Sequence, residues 1–297
     1  MKIKSTYFFL IASLLFSSCA FNKIFLQPTK IPAATTQLTL RTTEDSVQVL
    51  FSGNNHQPTF IKNANDTIAF DYTIESVLFK SNNGNLLNGW LLKPKHVTPT
   101  ITLLHFHGNA GCLLSQFKAI SPLVEKGLQV FMFDYSGFGF SEGKASRNNV
   151  LTDALSALDY LKTRSEITNT QLLLYGQSLG GHLSAVVAAQ RQTDIKGLVM
   201  EGAFSSHKDI AAHMVPVLGK IFVKQGYSAT KSIQNFYKPL LVIHSTEDKT
   251  IPFFMGKKIY EHANVPKEFY EVKECHICAP TFYADSIVGK IKAILKQ

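Results

Sequence analysis

Short apolar runs and segments of helical spacing alternate along the chain from about residue 72 onward. Eight runs predict β-strands, because they are apolar and bounded by turn residues; they cover residues 72–79, 86–92, 101–106, 129–134, 172–175, 195–200, 240–244 and 269–272. Helical spacing or composition marks residues 113–126, 149–161, 183–189 and 282–295. Near-continuous apolar strands that alternate with helices indicate an α/β fold, with a mostly parallel eight-stranded sheet and helices on both faces.

Other parts of the chain differ from this pattern in composition. Residues 19–68 are rich in Thr, Gln, Asn and Pro, and they predict a tether followed by one or two strands that pack on the main domain at residues 69–297. Residues 203–239 contain helical pieces and several aromatic residues but no strand signal. We therefore expect a short helical insertion there, rather than a large cap, and a fairly open site.

The first 18 residues have the composition of a secretion signal. Two lysines precede an apolar or small-residue stretch at residues 7–16, and two serines precede Cys19. This arrangement resembles a bacterial lipoprotein signal. It predicts lipidation of Cys19 and attachment to a membrane, at the periplasmic or outer-membrane face. Cleavage after Ala20, or retention of the apolar stretch as an uncleaved anchor, are the alternatives.

The composition excludes several classes of protein. Of the 297 residues, 45% are hydrophobic and 17% are charged, which is typical of a globular protein and not of a disordered chain. The formal net charge is +9, but the lysines are scattered and form no basic stripe with aromatic residues. The sequence therefore predicts no nucleic-acid partner. We expect a monomer.

The sequence contains four cysteines. If Cys19 is lipidated, Cys112, Cys275 and Cys278 remain. One Cys-x-x-Cys pair without a second pair at ligand spacing does not predict a zinc site. Because Cys112 and Cys275 both lie near candidate site residues, a disulfide between them is one possibility, and buried free thiols are the other.

Ser178 is the candidate nucleophile. The pentapeptide Gly176-Gln177-Ser178-Leu179-Gly180 follows a predicted strand and precedes a predicted helix. A serine on such a sharp strand-to-helix turn has a strained backbone, and the flanking glycines leave room for it. The motif alone arises easily by chance, but its setting is that of a nucleophile elbow.

A serine nucleophile needs an imidazole to accept its proton and a carboxylate to hold that imidazole. Asp248 follows the predicted strand at 240–244, and His276 lies in the loop after the last predicted strand. Both positions fall at the carboxyl edge of a parallel sheet, where catalytic groups of open α/β sheets collect. Glu247 and Glu201 are the alternatives for the acid, whereas most of the other histidines lie in positions that forbid the role of base.

Acyl transfer also needs hydrogen-bond donors for the oxyanion. The loop at residues 107–111 follows the predicted strand at 101–106, and its backbone can supply one donor, from Asn109 or alternatively from Ala110. The N–H of Leu179, at the start of the elbow helix, can supply the second. The helix dipole favours negative charge at that end.

Four segments carry a resemblance to a known family. The chain from about residue 72 to residue 297 resembles the α/β-hydrolase superfamily, and within it the compact branch of depalmitoylating thioesterases and lysophospholipase-like enzymes. The shared motifs are His107-Gly108-Asn109-Ala110-Gly111, Asp134-Tyr135-Ser136-Gly137-Phe138-Gly139-Phe140-Ser141-Glu142-Gly143, Gly176-Gln177-Ser178-Leu179-Gly180-Gly181 and the Asp248 loop. The resemblance implies that residues 134–143 close the floor of the site without a catalytic role. Members usually have a glycine just before the catalytic histidine, and this chain has Cys275 there.

These features predict a serine hydrolase that cleaves a carboxylic ester or thioester through an acyl-serine intermediate, without a cofactor or metal. The expected substrate is a small-molecule or lipid-like ester, near the membrane that a lipidated Cys19 would bind. One alternative is a serine peptidase of the same fold, which would more often carry a propeller or a large cap. The other is a membrane-attached binding protein that has lost activity.

Overall fold

The computed structural model describes residues 25–41, 46–62, 66–216 and 218–296. Cys19 and the predicted signal at residues 1–18 lie outside the described residues. The strands are β1 (Gln27–Pro28), β2 (Gln37–Arg41), β3 (Ser46–Ser52), β4 (Gln57–Lys62), β5 (Asp66–Thr67), β6 (Tyr72–Lys80), β7 (Leu86–Pro94), β8 (Ile101–Phe106), β9 (Ala110–Gly111), β10 (Gln129–Phe133), β11 (Gln171–Gln177), β12 (Gly197–Glu201), β13 (Leu240–Ser245) and β14 (Lys267–Val272). The α-helices are α1 (Leu113–Gln116), α2 (Ser121–Glu125), α3 (Arg147–Lys162), α4 (Leu179–Gln190), α5 (His207–Met214), α6 (Gly219–Phe222), α7 (Ala229–Ile233), α8 (Phe253–His262) and α9 (Ala279–Ile294).

Eight strands form the main sheet, in the order β14-β13-β12-β11-β8-β10-β7-β6. Neighbours from β14 to β10 are parallel, and β7 and β6 extend the sheet as antiparallel strands. Every residue of β8, β10 and β12 is buried, which explains their mainly apolar sequence. The predicted α/β class and the mostly parallel eight-stranded sheet are confirmed.

Two hydrophobic cores cover the two faces of this sheet. One contains Leu158 of α3 and Leu183 of α4. The other contains Val124 of α2 and Ile291 of α9. Because apolar side chains of the strands meet these helices on both faces, the sheet is a buried central layer.

The N-terminal extension contains more strands than the sequence predicted. Strands β2, β3, β4 and β5 form a separate antiparallel sheet, where the sequence predicted one or two strands. The reason is local: β2 alternates only between exposed and half-buried positions, which is a weak signal for a strand. Phe60 of β4 packs on Phe117 with 5.2 Å between ring centroids, so this small sheet covers part of the second core.

The insertion at residues 203–239 contains three short helices, of which α5 with eight residues is the longest. Ser206 directly precedes α5, and its hydroxyl accepts a hydrogen bond of 3.0 Å from the Asp209 N–H. This is a standard N-terminal cap.

Within the described ranges, no helix is both long enough and apolar enough to cross a membrane.

Candidate active site

Ser178 lies on the turn between β11 and α4, with φ of 57° and ψ of −115°. A serine in this backbone region is strained, and the neighbouring chain passes very close to it. A Cβ atom on Gly180 would lie 1.8 Å from the carbonyl oxygen of Phe106, and one on Gly176 would lie 2.3 Å from that of Gly180. Only glycine fits at both positions, so the turn has the geometry of a nucleophile elbow.

Asp248 and His276 form a close hydrogen-bonded pair. The distance from His276 Nδ1 to Asp248 Oδ2 is 2.6 Å, and the Asp248 side chain is 1% exposed. The other carboxylate oxygen accepts hydrogen bonds of 2.8 Å from the N–H groups of Thr250 and Ile251. Burial by itself would raise the pKa of Asp248, but the hydrogen bond and charge of His276, with these two donors, hold it below its ordinary value. The carboxylate is therefore ionised at neutral pH.

Gly202 places His276 beside the elbow. The N–H of Ser178 donates to the Glu201 carbonyl oxygen at 2.9 Å, so the next residue, Gly202, lies next to the nucleophile. Gly202 has φ of +55°, and a Cβ atom there would lie 3.1 Å from Nδ1 and Cε1 of His276. The imidazole packs directly on this backbone. The structure thus brings Ser178, Asp248 and His276 to the same end of the sheet.

The two alternative acids lie elsewhere. Glu247 is exposed. Glu201 is buried, and burial raises its pKa against the opposing effect of its hydrogen-bond donors. Three donors approach the Glu201 carboxylate at 2.8–2.9 Å, from Tyr175, Gln177 and the backbone of Ala279. Asp248 is therefore the acid that holds His276, whereas Glu201 fastens the start of α9 to the sheet.

Four other histidines near this end of the sheet are buried. They are His105, His107, His182 and His244. Burial lowers the pKa of each, to about 3 for His105 and to about 4 for His107 and His182. They are neutral at neutral pH and sealed from solvent. The His276 side chain, by contrast, is 17% exposed.

Asn109 and Leu179, the two candidate oxyanion donors, both lie beside Ser178. Leu179 is the first residue of α4, and first-turn N–H groups have no partner within their own helix. Asn109 and Leu179 line the same pocket as Ser178. A Cβ atom on Gly108 would lie 3.7 Å from the Ser178 Cβ atom, so this loop lies against the nucleophile. Ala110, the alternative donor, belongs to β9 and pairs with the N-terminal segment.

No sequence pattern predicted the contribution of residues 25–31, which we call the N-terminal strap. Strand β1 of the strap runs parallel to β9 in the loop at residues 107–111, which we call the oxyanion loop after its proposed role. The Gln27 N–H donates to the Asn109 carbonyl oxygen at 2.8 Å, and Lys30 Nζ donates to the Ser141 carbonyl oxygen. A pairing of two residues leaves no periodic signal. Apolar residues lie at both ends of this segment within a polar stretch, and they are the feature of the sequence that could have indicated its burial.

Ser178 opens into a pocket of about 180 Å³. The strap, the elbow, the insertion and the Asp248 loop all contribute to its wall: Phe25, Gln27, Asn109, Ser178, Leu179, Phe204, Ile210, Met214, Thr250 and Ile251. Phe25 is buried and meets His207 edge-on, with 5.2 Å between ring centroids. Met214 is 49% exposed and lies at the outer side of the wall. The pocket is therefore mainly apolar and open to solvent at one side.

The structure corrects the expected state of two cysteines. Cys275 and Cys278 form a disulfide with Cα atoms 5.4 Å apart, while Cys112 is buried and free. Both expectations for Cys275, a bond to Cys112 or a free thiol, are wrong. The two partners lie three residues apart on one turn, so their bond needs no contact between distant segments.

Among the described residues, no group of three or more His, Cys, Asp or Glu side chains is placed to hold a metal ion.

Asp134 begins the segment at residues 134–143 and is buried. Its Oδ1 atom accepts a hydrogen bond of 2.8 Å from the Leu113 N–H. Burial raises the pKa of Asp134 to about 8, against the opposing effects of that N–H and of the Lys30 charge. The side chain is therefore mostly protonated at neutral pH, which suits a structural role beneath the site.

A serine elbow after β11, with an aspartate and a histidine in the loops after β13 and β14, defines an α/β-hydrolase. The sequence profile of the α/β-hydrolase fold matches residues 101–223. Esterase Pf2001 of Pyrococcus furiosus has a TM-score of 0.62 at 18% identity, over 76% of this chain and 92% of that chain. Est1E of Butyrivibrio proteoclasticus, with ferulic acid bound, has a TM-score of 0.63 at 18% identity, over 74% of this chain and 100% of that chain.

Two relatives share a higher sequence identity with this chain than these two structures do. The uncharacterized protein YfhR of Salmonella typhi is 37% identical over 241 residues, which cover 74% of this chain and 82% of YfhR. The α/β-hydrolase domain-containing protein WAV2 of Arabidopsis thaliana is 32% identical over 209 residues, which cover 64% of this chain and 66% of WAV2. The chain therefore belongs to the α/β-hydrolase family, in the group that includes YfhR.

Asp134 should make stability depend on pH. Its pKa is about 8 in the folded protein against an ordinary 3.8, so between these values the folded protein binds a proton that the unfolded chain has lost. The free energy of unfolding should then fall as pH rises, by up to about 1.4 kcal/mol per pH unit from this group. Asp134→Asn should remove that slope in urea unfolding at pH 5, 6, 7 and 8. The exposed control, Asp285→Asn, should keep it, and parallel curves for wild type and Asp134→Asn would contradict the raised pKa.

Proposed function

We propose that the protein is a serine hydrolase that cleaves a carboxylic ester or thioester through an acyl-enzyme intermediate. Ser178 is the nucleophile, His276 the general base and then the general acid, and Asp248 orients His276. The observation that carries this proposal is the Asp248–His276 pair, 2.6 Å apart and packed on Gly202 beside the strained Ser178 turn. The order and the roles are those of a Ser–His–Asp triad.

In the proposed reaction, the Ser178 oxygen attacks the substrate carbonyl carbon while His276 accepts the hydroxyl proton through Nε2. The N–H groups of Asn109 and Leu179 stabilise the negative charge that develops on the carbonyl oxygen. His276 then donates its proton to the leaving alcohol or thiol, and the acyl group stays on Ser178. Water, deprotonated by the same imidazole, releases the acid and restores the serine.

The apolar pocket supports an apolar acyl group as the part of the substrate bound beside Ser178. Its volume of about 180 Å³ is smaller than the roughly 300–1,000 Å³ of sites that hold drug-sized ligands. A short or medium acyl chain would fill it, and a longer chain would extend past Met214. Esters with an apolar acyl group are therefore the proposed substrate class.

We also propose that Cys19 is lipidated, on the composition of the first 18 residues. Five residues separate Cys19 from Phe25 in the pocket wall. An extended chain spans at most about 3.6 Å per residue, so a lipid on Cys19 would keep the pocket within about 20 Å of the membrane. A lipid-like ester could then reach Ser178 from the membrane surface.

A fluorophosphonate should label wild type and should not label Ser178→Ala. On p-nitrophenyl esters, Ser178→Ala should lower kcat by at least about 10⁴-fold, and Asp248→Asn by about 10⁴-fold, because the amide favours the wrong imidazole tautomer. Ser184→Ala, on the same helix and outside the pocket wall, is the control and should stay near the wild-type rate. Unlabelled wild type, or an active Ser178→Ala, would sink the assignment of the nucleophile.

Phe25 should set the preferred acyl length. Phe25→Ala should shift the best substrate in a p-nitrophenyl ester series to longer chains, with kcat/KM rising about 4-fold for each methylene newly buried, from about 0.8 kcal/mol per group. Phe25→Trp should shift the preference to shorter chains. Phe254→Ala removes a phenylalanine that is 55% exposed and outside the pocket wall, and it should leave the preference unchanged. An unchanged preference in both Phe25 variants would exclude the strap from the acyl site.

Lipidation of Cys19 has a direct test in bacterial cells that express the full chain. Labelled palmitate should be incorporated into wild type and not into Cys19→Ala, because that thiol is the proposed acceptor. Cys112→Ala should incorporate as much label as wild type. Label retained in Cys19→Ala, or absent from wild type, would refute this part of the proposal.

A further inference from the structure

The turn that holds His276 contains a strained residue and is closed by a covalent bond. At residues 275–278, the Cys278 N–H donates to the Cys275 carbonyl oxygen at 3.2 Å. The third residue of this turn, Ile277, has φ of +54°. That position normally takes glycine or asparagine, and it is unfavourable for a β-branched side chain. A strained residue persists only where its surroundings fix it, and here a disulfide joins the first and fourth residues of the turn.

The two ends of the disulfide are in different environments. Cys275 is exposed, whereas Cys278 is partly buried. An external thiolate can therefore reach the Cys275 sulfur, so we take Cys275 as the sulfur that is attacked.

We propose that Cys275 and Cys278 form a redox site for a dithiol reductant, and that its state controls the position of His276. A thiolate of the reductant attacks Cys275 Sγ, the sulfur–sulfur bond breaks, and Cys278 leaves as a thiolate. The second thiol of the reductant then displaces Cys275 from the mixed disulfide. The reductant becomes a disulfide, and the protein gains two electrons and, when both sulfurs are protonated, two protons.

Reduction acts on His276 through Ile277. Without the covalent bond, Ile277 relaxes from its left-handed conformation and turns the preceding imidazole away from Asp248. One hydrogen bond on each side of the turn remains. Before the turn, the Glu274 carbonyl oxygen accepts from the hydroxyl of Ser245 in β13. After the turn, the Ala279 N–H donates at 2.9 Å to the buried Glu201 carboxylate of β12. The change is therefore confined to the turn, and only its effect on catalysis rests on the proposed function.

The test follows His276 and Ser178 separately in purified protein, equilibrated with reduced and oxidised dithiothreitol. Alkylation and mass spectrometry count the reduced cysteines. The downfield NMR resonance of the Nδ1 proton that His276 shares with Asp248 should be present in the oxidised protein and lost on reduction, with the same midpoint as alkylation. Fluorophosphonate labelling of Ser178 should slow roughly 10- to 100-fold along the same curve, the usual cost of a small misplacement of a catalytic group.

Three variants separate the switch from a general loss of structure. The double variant Cys275→Ala/Cys278→Ala should remain in the slow state at every redox ratio. Addition of Ile277→Gly should restore labelling to within about 3-fold of the oxidised wild type and keep it insensitive to redox, because glycine adopts the left-handed conformation without strain. Cys112→Ala, which removes the buried free thiol, should respond to reduction as wild type does.

The outcomes separate this proposal from the hydrolase proposal. An unchanged Nδ1 resonance after double alkylation of Cys275 and Cys278 would overturn the redox site, as would the absence of that resonance from the oxidised protein. A redox response that disappears in Cys112→Ala would overturn it too. An oxidised protein that shows the resonance, loses it on reduction, and never reacts with fluorophosphonate would leave the redox site in place and remove the hydrolase function.

Discussion

The close approach of α4 to the end of β8 is the constraint on which the site depends. The backbone of Gly180 touches the carbonyl oxygens of Phe106 and His107, and no side chain fits between them. Because the oxyanion loop begins at this contact, the contact also fixes the separation of Asn109 and Leu179. A larger residue at position 180 would displace Ser178 and both candidate donors together, so one backbone contact would preorganise the proposed oxyanion site.

Asp248 and Glu201 show how environment separates two carboxylates at the same end of one sheet. Asp248 has a histidine partner and two backbone donors, which lower its pKa despite burial. Glu201 is buried among neutral donors, and its pKa is raised. The first is suited to stabilise a positive imidazole, and the second to connect strands and a helix. Such divergence between neighbouring carboxylates commonly marks a division of roles.

Local features of the chain were predictable from sequence, and contacts between distant segments were not. The eight main strands, the Ser178 turn, and the positions of Asp248 and His276 at strand ends all follow from apolar runs and their order. The pairing of Gln27 with the oxyanion loop joins segments about 80 residues apart through two residues only, too few to leave a periodic pattern. The partner of Cys275 depends on the path of a single turn, and spacing alone does not determine it.

The N-terminal strap adds to the pocket a wall that lies outside the segment forming the main sheet. A chain that began at residue 69 would retain all eight strands of the main sheet, with Ser178, Asp248 and His276. It would lack one wall of the pocket and the strand that pairs with the oxyanion loop. Exchange of this one segment between relatives would therefore change the shape of the pocket while Ser178, Asp248 and His276 stayed the same. That is a simple evolutionary route to a different specificity on a constant framework.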